Sequence, residues 1–163
     1  MTKKIDIETL PVVTGTYYPP PYDQPCRARD RKRLGDAAGL TQFGVNRLRL
    51  PPGSWSSQRH WHTGEDEFVY VLSGEVVLVT DEGDELLRAG DAAGFKAGDK
   101  NGHHLQNRSK SDAVILEIGT RGEDDAAFYP GIDLVHPPGD KPAMYTHRDG
   151  TPYNIRRRTP DDP

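Results

Sequence analysis

The sequence predicts an all-β fold, a barrel or sandwich of short strands. Strand-like stretches recur roughly every 8–12 residues between Leu40 and Ile118, separated by residues that favour turns. Gly and Pro supply 17 and 14 of the 163 residues, and helix formers dominate no long window. The length fits a single domain.

Individual strands follow from local patterns. Residues 45–50 alternate, with leucines on one face and Arg47 and Arg49 on the other. Residues 68–72 and 75–80 predict a hairpin around Gly74. Further strands are predicted at 85–88, 92–96, 103–107 and 113–118, and a short helix at 123–127. The roles of Arg47, Arg49, Tyr70 and Glu117 stay open, because these side chains could face either the interior or solvent.

The patterns divide the chain into three segments. Residues 1–40 are expected to form an N-terminal extension, 41–120 the barrel core, and 121–163 a C-terminal segment that completes or flanks the barrel. The extension carries weakly alternating apolar residues that could form an edge strand, either on its own barrel or on a partner's. These residues and two neighbouring tyrosines have to be buried against another surface, and we expect that surface to belong to a second copy of the chain in a homodimer. They are Ile5, Ile7, Val12, Val13, Tyr17 and Tyr18.

Charge and composition limit the possible partners. The net charge is −4, which does not suggest a nucleic-acid-binding surface. The basic runs 27–33 and 156–158 are flanked by acids, Gly or Pro, which favours solvated segments over an anion-binding role. A lone Cys26 excludes an intrachain disulfide. No secretory signal or membrane segment is predicted, so the expected location is the cytoplasm.

Two histidine clusters carry the candidate chemistry. His60 and His62 would point to the same face of a strand, and Glu67 follows after a turn that can return it to the same space. Two imidazoles and one carboxylate form a facial ligand set for iron, manganese, nickel or zinc. His103-His104, on a later strand, can supply a fourth ligand across the barrel. The alternative is that these histidines lie on the surface of a polar loop.

The spacing of these residues resembles the two sequence motifs of the cupin family. The first is Gly53, six residues, His60-Trp61-His62, four residues, Glu67, six residues and Gly74. The second is Gly90, five residues, Lys96-Ala97-Gly98, four residues, His103, three residues and Asn107. Lys96 stands where the family has proline, and the loop before His103 is about two residues longer than in the family. The chain is most similar to small, single-domain bacterial cupins without an assigned reaction.

This resemblance implies a fold and a ligand set. The fold is a double-stranded β-helix, the jelly-roll barrel of cupins, here with an extended N-terminal arm. The implied metal ligands are His60, His62, Glu67 and His103, which would hold one divalent ion. His103 keeps the family spacing to Asn107, whereas His104 does not. We therefore expect His104 to face outward, or to contact one of the metal-binding residues rather than the metal itself.

The expected function is that of a metal-binding protein for a small molecule. We expect an enzyme acting on a small oxygenated substrate, with dioxygenase-type oxidation favoured. A metal-dependent isomerase or lyase acting on a sugar or hydroxy acid is the first alternative. A small-ligand-binding cupin without turnover is the second. The fold alone does not choose among them.

Overall fold

Short antiparallel strands make up most of the regular structure. The computed structural model describes residues 4–163, so residues 1–3 of the predicted extension lie outside the described range. The strands are β1 (Val13–Thr14), β2 (Asp30–Arg33), β3 (Phe43–Leu50), β4 (Trp61–His62), β5 (Glu67–Ser73), β6 (Glu75–Thr80), β7 (Gly83–Arg88), β8 (Ala92–Phe95), β9 (His104–Gln106), β10 (Ala113–Thr120), β11 (Ala127–Phe128) and β12 (Val135–His136). The helical elements are the short α-helix α1 (Leu34–Ala37) and the 3-10 helices Ile7–Thr9, Gln24–Cys26 and Pro138–Asp140. None of these helices has the length and hydrophobicity that a membrane crossing requires.

The strands form the two layers of a barrel. One layer is a six-stranded antiparallel sheet in the order β1-β2-β3-β10-β5-β8. The other consists of two three-stranded sheets, β7-β6-β9 and β12-β11-β4. The segment before β4 joins these two sheets through backbone hydrogen bonds, including a reciprocal pair between His60 and His103 at 3.1 and 2.9 Å. This all-β architecture fits the predicted double-stranded β-helix.

The interior changes from apolar to polar along its strands. Val71 on β5 and Ile115 on β10 are fully buried in the main hydrophobic core, where they pack with residues from β6 and β9. Full burial of such a side chain contributes roughly 1.5–3 kcal/mol. Further along the same inward-facing rows lie Glu67 on β5 and Glu117 on β10. Burial of the apolar end therefore fixes the register of the strands, and the polar end carries side chains that can bind a ligand or take part in a reaction.

The strands predicted between residues 45 and 118 are all present, but the hairpin predicted around Gly74 and the helix predicted at 123–127 are wrong. The strand before Gly74, β5, pairs with β10 and β8, whereas β6 after it pairs with β7 and β9, so the chain passes from one sheet to another at Gly74. Residues 123–124 form a turn, and Ala127–Phe128 form β11. The backbone of Ala126 bonds across to Thr63 instead of along the chain. Thr63 N–H donates to the Ala126 carbonyl at 2.9 Å, and Ala126 N–H donates to Thr63 Oγ1 at 2.8 Å. These contacts compete with helical hydrogen bonds and pull the segment onto β4.

The extended arm predicted for residues 1–40 is not confirmed. In the described part of this segment, β2 pairs with β3 along its whole length, and β1 pairs with β2 as the edge strand of the six-stranded sheet. The sequence allowed an edge strand on the chain's own barrel or on that of a partner, and β1 lies on its own barrel. The N-terminal segment therefore brings Arg31 of β2 to the barrel interior, where it pairs with Glu117.

A second hydrophobic cluster joins the two ends of the described chain. Its buried members are Tyr18, Cys26, Ala127, Tyr129 and Leu134. Next to it, Thr16 and Arg158 exchange backbone hydrogen bonds at 2.9 and 2.7 Å. Gly15 permits this crossing, because its φ is +89° and a Cβ there would lie only 1.8 Å from the Arg158 carbonyl oxygen. The N- and C-terminal segments thus close over the barrel together.

Candidate metal centre

The residues predicted as metal ligands meet at the polar end of the barrel. His60 and His103 lie side by side because their backbones form an antiparallel bridge. His62 is the last residue of β4, and Glu67 is the first residue of β5. Since residues i and i+2 of an extended chain face the same side, His62 joins His60. Sheet pairing and one turn therefore assemble the cluster.

The three imidazoles converge on one oxygen of Glu67. Nε2 of His103 lies 2.8 Å from Glu67 Oε2, and Nε2 of His60 and of His62 each lie 3.5 Å from the same atom. His60, His62 and Glu67 offer ligand atoms within 4.8 Å of one another, so they could hold a metal ion. The structure brings all four predicted residues together, and their action as a ligand set stays a prediction.

Hydrogen bonds at Nδ1 fix the orientation of two of the rings. His60 Nδ1 donates to the Gln58 carbonyl at 2.8 Å, and His62 Nδ1 donates to Asp125 Oδ2 at 2.6 Å. A proton on Nδ1 leaves the Nε2 lone pair free, which is the form of imidazole that binds metals. Both rings are therefore held ready to present Nε2 to the centre of the cluster.

His103 is positioned by packing. The ring of Phe95 stacks on it, with centroids 3.5 Å apart and an interplanar angle of 1°. Within residues 4–163, His103 Nδ1 is a buried atom without a hydrogen-bond partner. The contact of this ring with Glu67 is thus its one side-chain hydrogen bond in the described structure.

The electrostatics of the cluster favour a cation. Burial alone would raise the pKa of Glu67, but its contacts with the imidazoles of His103 and His60 hold that pKa well below its usual value. Burial lowers the pKa of His103. At His60 the effect of burial is outweighed by the Glu67 carboxylate, which raises the pKa of the imidazole. A charged carboxylate among imidazoles suits iron, manganese, nickel or zinc, and the donor set does not choose among them.

His104 faces a different set of atoms. Its Nδ1 lies 2.8 Å from the Ser57 carbonyl, and its Nε2 lies 3.0 Å from Gln106 Nε2. Burial lowers the pKa of His104 to about 4. Both ring nitrogens contact neutral groups rather than Glu67, and at 4% exposure the ring does not face outward. That His104 is not a metal ligand stays a prediction.

The residues whose roles the sequence left open divide between the two faces of the sheet. Glu117 faces the interior, where it pairs with a guanidinium group. Tyr70 lies on the outer face and is 39% exposed. Arg47 and Arg49 also lie on the outer face, opposite the buried leucines of β3, and Arg49 pairs with two aspartates at 2.8 Å each. Trp61 stacks on Phe128 with a centroid distance of 5.0 Å.

Two features of the site escaped the sequence analysis. Asp125, which orients His62, lies 63 positions away in a stretch that carries no sequence motif. The sequence predicts that the basic run 27–33 is solvated, and this is wrong for most of its cations, since the side chains of Arg27, Arg31 and Lys32 are 14%, 26% and 12% exposed. Arg29 is only 7% exposed, and Arg31 projects from β2 to pair with Glu117. For Arg31 the alternation along β2 is a signal, since residues two apart on a strand share a face. Arg29 lies one residue before β2.

The cluster lies at the wall of a cavity of about 430 Å³. His60, Glu67 and His103 line one part of it, and Arg29 and Arg31 another. A second cavity of about 230 Å³ also reaches Glu67 and His103. The candidate metal centre is therefore accessible to a small polar molecule.

Comparisons with known proteins agree on the family. The sequence model of the Cupin domain matches residues 46–119. An oxalate-binding protein from Thermotoga maritima is 36% identical over 72 residues, which cover 44% of this chain and 57% of that protein. This relative is thus matched over little more than half of its own length.

Solved structures are similar over almost the whole chain. A sugar phosphate isomerase of the cupin superfamily from Silicibacter pomeroyi is 41% identical, with a TM-score of 0.85 over 93% of this chain and 96% of that chain. A candidate sugar phosphate isomerase from Acidithiobacillus ferrooxidans is 28% identical, with a TM-score of 0.71 over 90% of this chain and 91% of that chain. With its barrel, its histidine–glutamate cluster and these relatives, the chain belongs to the cupin superfamily.

Proposed function

We propose that this protein is a metal-dependent isomerase of a small phosphorylated sugar. The observation that carries the proposal is the convergence of three imidazole Nε2 atoms on Glu67 Oε2 at the wall of the 430 Å³ cavity. The similarity to a sugar phosphate isomerase over 93% of the chain supports the choice of substrate. The dioxygenase chemistry favoured by the sequence has no comparable support and becomes an outcome of the test.

The proposed ligands are His60, His62, Glu67 and His103. A divalent ion bound there would supply Lewis acidity, which polarises the carbonyl and neighbouring hydroxyl oxygens of a sugar. The Nδ1 contacts of His60 and His62 keep their imidazoles in the required tautomer.

Isomerisation also needs a group that moves a proton between adjacent carbons. Glu65 lines both cavities, and the Gly122 N–H holds its Oε1 at 2.9 Å. In the proposed reaction this carboxylate takes a proton from the carbon next to the carbonyl and returns it to the carbonyl carbon. The hydroxyl proton moves to the former carbonyl oxygen, so the atoms balance without an oxidant.

A ligand-binding role without turnover is the second candidate. The 36% identity to an oxalate-binding protein over 72 residues favours it. In that case the same centre would hold a small dicarboxylate and release it unchanged. Titration of the metal-loaded protein with oxalate tests this role directly.

The decisive experiment combines metal analysis with an isotope assay. Protein purified without an affinity tag is analysed for bound metal and then loaded separately with Fe(II), Mn(II), Ni(II) or Zn(II). Each form is incubated in D₂O with aldose and ketose phosphates, under air and under nitrogen, and followed by proton NMR. Proton transfer through Glu65 is expected to introduce deuterium next to the carbonyl, and His62→Ala is the metal-site control.

The outcomes separate the candidates. Interconversion of the two sugar phosphates under nitrogen, absent in His62→Ala, supports the isomerase. Oxygen consumption that depends on iron and substrate would support the dioxygenase instead. Binding of oxalate with no conversion of any sugar phosphate would support the binding protein.

A further inference from the structure

A buried guanidinium group without an acidic partner lines the cavity. Arg29 is 7% exposed, yet no carboxylate of residues 4–163 lies within 4.0 Å of its nitrogens. Its contacts are neutral: Nε donates to the Gly15 carbonyl and Nη2 to Thr16 Oγ1, both at 3.2 Å, and Nη1 donates to the Ser56 carbonyl. A buried charge is costly unless an opposite charge accompanies it.

A second guanidinium group lies beside the first. Arg31 Nη2 also donates to the Ser56 carbonyl, at 3.3 Å, so the two cations share one acceptor. Glu117 binds Arg31 through both carboxylate oxygens, at 2.8 and 2.9 Å. One carboxylate therefore faces two guanidinium groups, which leaves one positive charge in excess among Arg29, Arg31 and Glu117.

The two arginines also keep free donors. Arginine carries more N–H groups than the three contacts of Arg29 use. Within the described structure, Nη1 of Arg31 donates to no protein acceptor and is not among the buried unpaired atoms. Planar forks of this kind match the oxygens of a phosphate group.

The pair lies close to the candidate metal centre. Glu117 stands opposite Val69 of β5, and Glu67 is the next inward-facing residue on that strand. Ser56, which both arginines contact, is followed by Ser57, whose Oγ lies 3.3 Å from His60 Nδ1. One molecule of sugar-phosphate size can therefore reach both regions of the cavity.

We propose that Arg29 and Arg31 form a binding subsite for the phosphate group of the substrate, which places the reacting carbons of that molecule towards Glu67. A phosphate monoester carries about −1.5 to −2 charges at neutral pH, more than the single charge of a carboxylate. It therefore compensates the unpaired cation and occupies both forks. The inference rests on the proposed function for the identity of the substrate, but the binding of phosphate is testable alone.

The test is titration of chelator-treated, metal-free protein with inorganic phosphate, followed by calorimetry at low ionic strength. Removing the metal ensures that phosphate does not bind through it. Saturable binding of one phosphate per chain is expected. Arg29→Gln should weaken it by about 10- to 100-fold, the range for a hydrogen bond to a charged group. Arg47→Gln removes the same charge from the outer face of the sheet and should leave binding unchanged.

A second variant is expected to bind phosphate more tightly, a result that partial unfolding of the protein could not produce. Glu117→Gln removes the one carboxylate that compensates the pair and keeps the size of the side chain. It should bind phosphate roughly tenfold more tightly, because a nearby negative charge is gone. A purely structural role for the arginines predicts no such gain. If Arg29→Gln does not fold, as judged by circular dichroism, Glu117→Gln and Arg31→Lys decide the question.

Several results would overturn the subsite. These are the absence of phosphate binding to the wild-type protein, equal weakening in Arg29→Gln and Arg47→Gln, unchanged or weaker binding in Glu117→Gln, and acetate binding as tightly as phosphate. Failure of the isomerase proposal looks different. In that case phosphate binds with the expected dependence on Arg29 and Glu117, but no sugar phosphate is converted.

Discussion

Replacing Asp125 with asparagine should weaken metal binding without removing a ligand. Asp125 Oδ2 accepts the Nδ1 proton of His62 at 2.6 Å, and its Oδ1 accepts the Gly64 N–H at 2.7 Å. An asparagine that keeps its oxygen on Gly64 turns its NH₂ group towards His62. The imidazole must then accept at Nδ1 and carry its proton on Nε2, the nitrogen predicted to bind the metal.

The size of the effect follows from the lost contact. A hydrogen bond to a charged group contributes about 1.5–3 kcal/mol, and loss of such a partner of a metal-bound histidine lowers metal affinity by roughly 10- to 100-fold. We therefore expect Asp125→Asn to bind Zn(II) about 10- to 100-fold more weakly than the wild-type protein. Competition with a chromogenic chelator measures this difference.

The matched control is Asp124→Asn, because Asp124 is exposed and its substitution removes the same charge one position away. Thermal unfolding of both metal-free variants, followed by circular dichroism, separates affinity from stability. Wild-type affinity in Asp125→Asn would refute the reasoning. An equal loss in both variants would show that net charge rather than orientation matters.

Four further predictions concern the ligands, the core and the assembly. His62→Ala should abolish stoichiometric metal, measured by mass spectrometry of the purified protein, and retention of full metal would contradict the ligand set. His103→Ala should lose metal while His104→Ala keeps it, since the His104 nitrogens contact Ser57 and Gln106; the reverse result would shift the register by one residue. Ile115→Ala, at a fully buried position, should lower the free energy of unfolding by about 2–5 kcal/mol in a urea titration, and a loss below about 1 kcal/mol would argue against tight packing there. Sedimentation should show a homodimer, because Phe68, Leu72 and other apolar side chains remain exposed on one chain; a monomer at micromolar concentration would contradict this.

The sequence predicted the barrel well because its signals are local. Alternation on β3 depends on neighbours in the chain, and the structure contains it. The strands on either side of Gly74 are also local signals, but which strands they pair with is not, and the predicted hairpin is wrong. The choice of His103 over His104 came from the resemblance to the cupin motif, whose spacing to Asn107 His103 keeps, because alternation says only that the two histidines face opposite ways. Side chains alternate between the two faces of any strand, so such a residue pattern can be interpreted without knowledge of the rest of the fold.

The parts that escaped prediction depend on distant contacts. Asp125 reaches His62 because the segment after β10 returns to pair with β4, and no local pattern announces that return. Arg29 and Arg31 belong to a run that has the composition of a solvated loop. Pairing of β2 with β3 sets Arg31 opposite the buried Leu48 and turns it inward. Arg29 lies just before β2 and is held by its hydrogen bonds to Gly15, Thr16 and Ser56. Charge density alone could not show which guanidinium groups face water.

The backbone bridge between His60 and His103 has a consequence for how quickly a metal can be captured. The spacing of these two residues is fixed by main-chain hydrogen bonds, so it exists before any ion arrives. A zinc finger, by contrast, orders its chain as it binds, and much of its binding free energy is folding free energy. Here little conformational entropy remains to be lost, so uptake should be limited by shedding of water from the ion rather than by rearrangement of the protein.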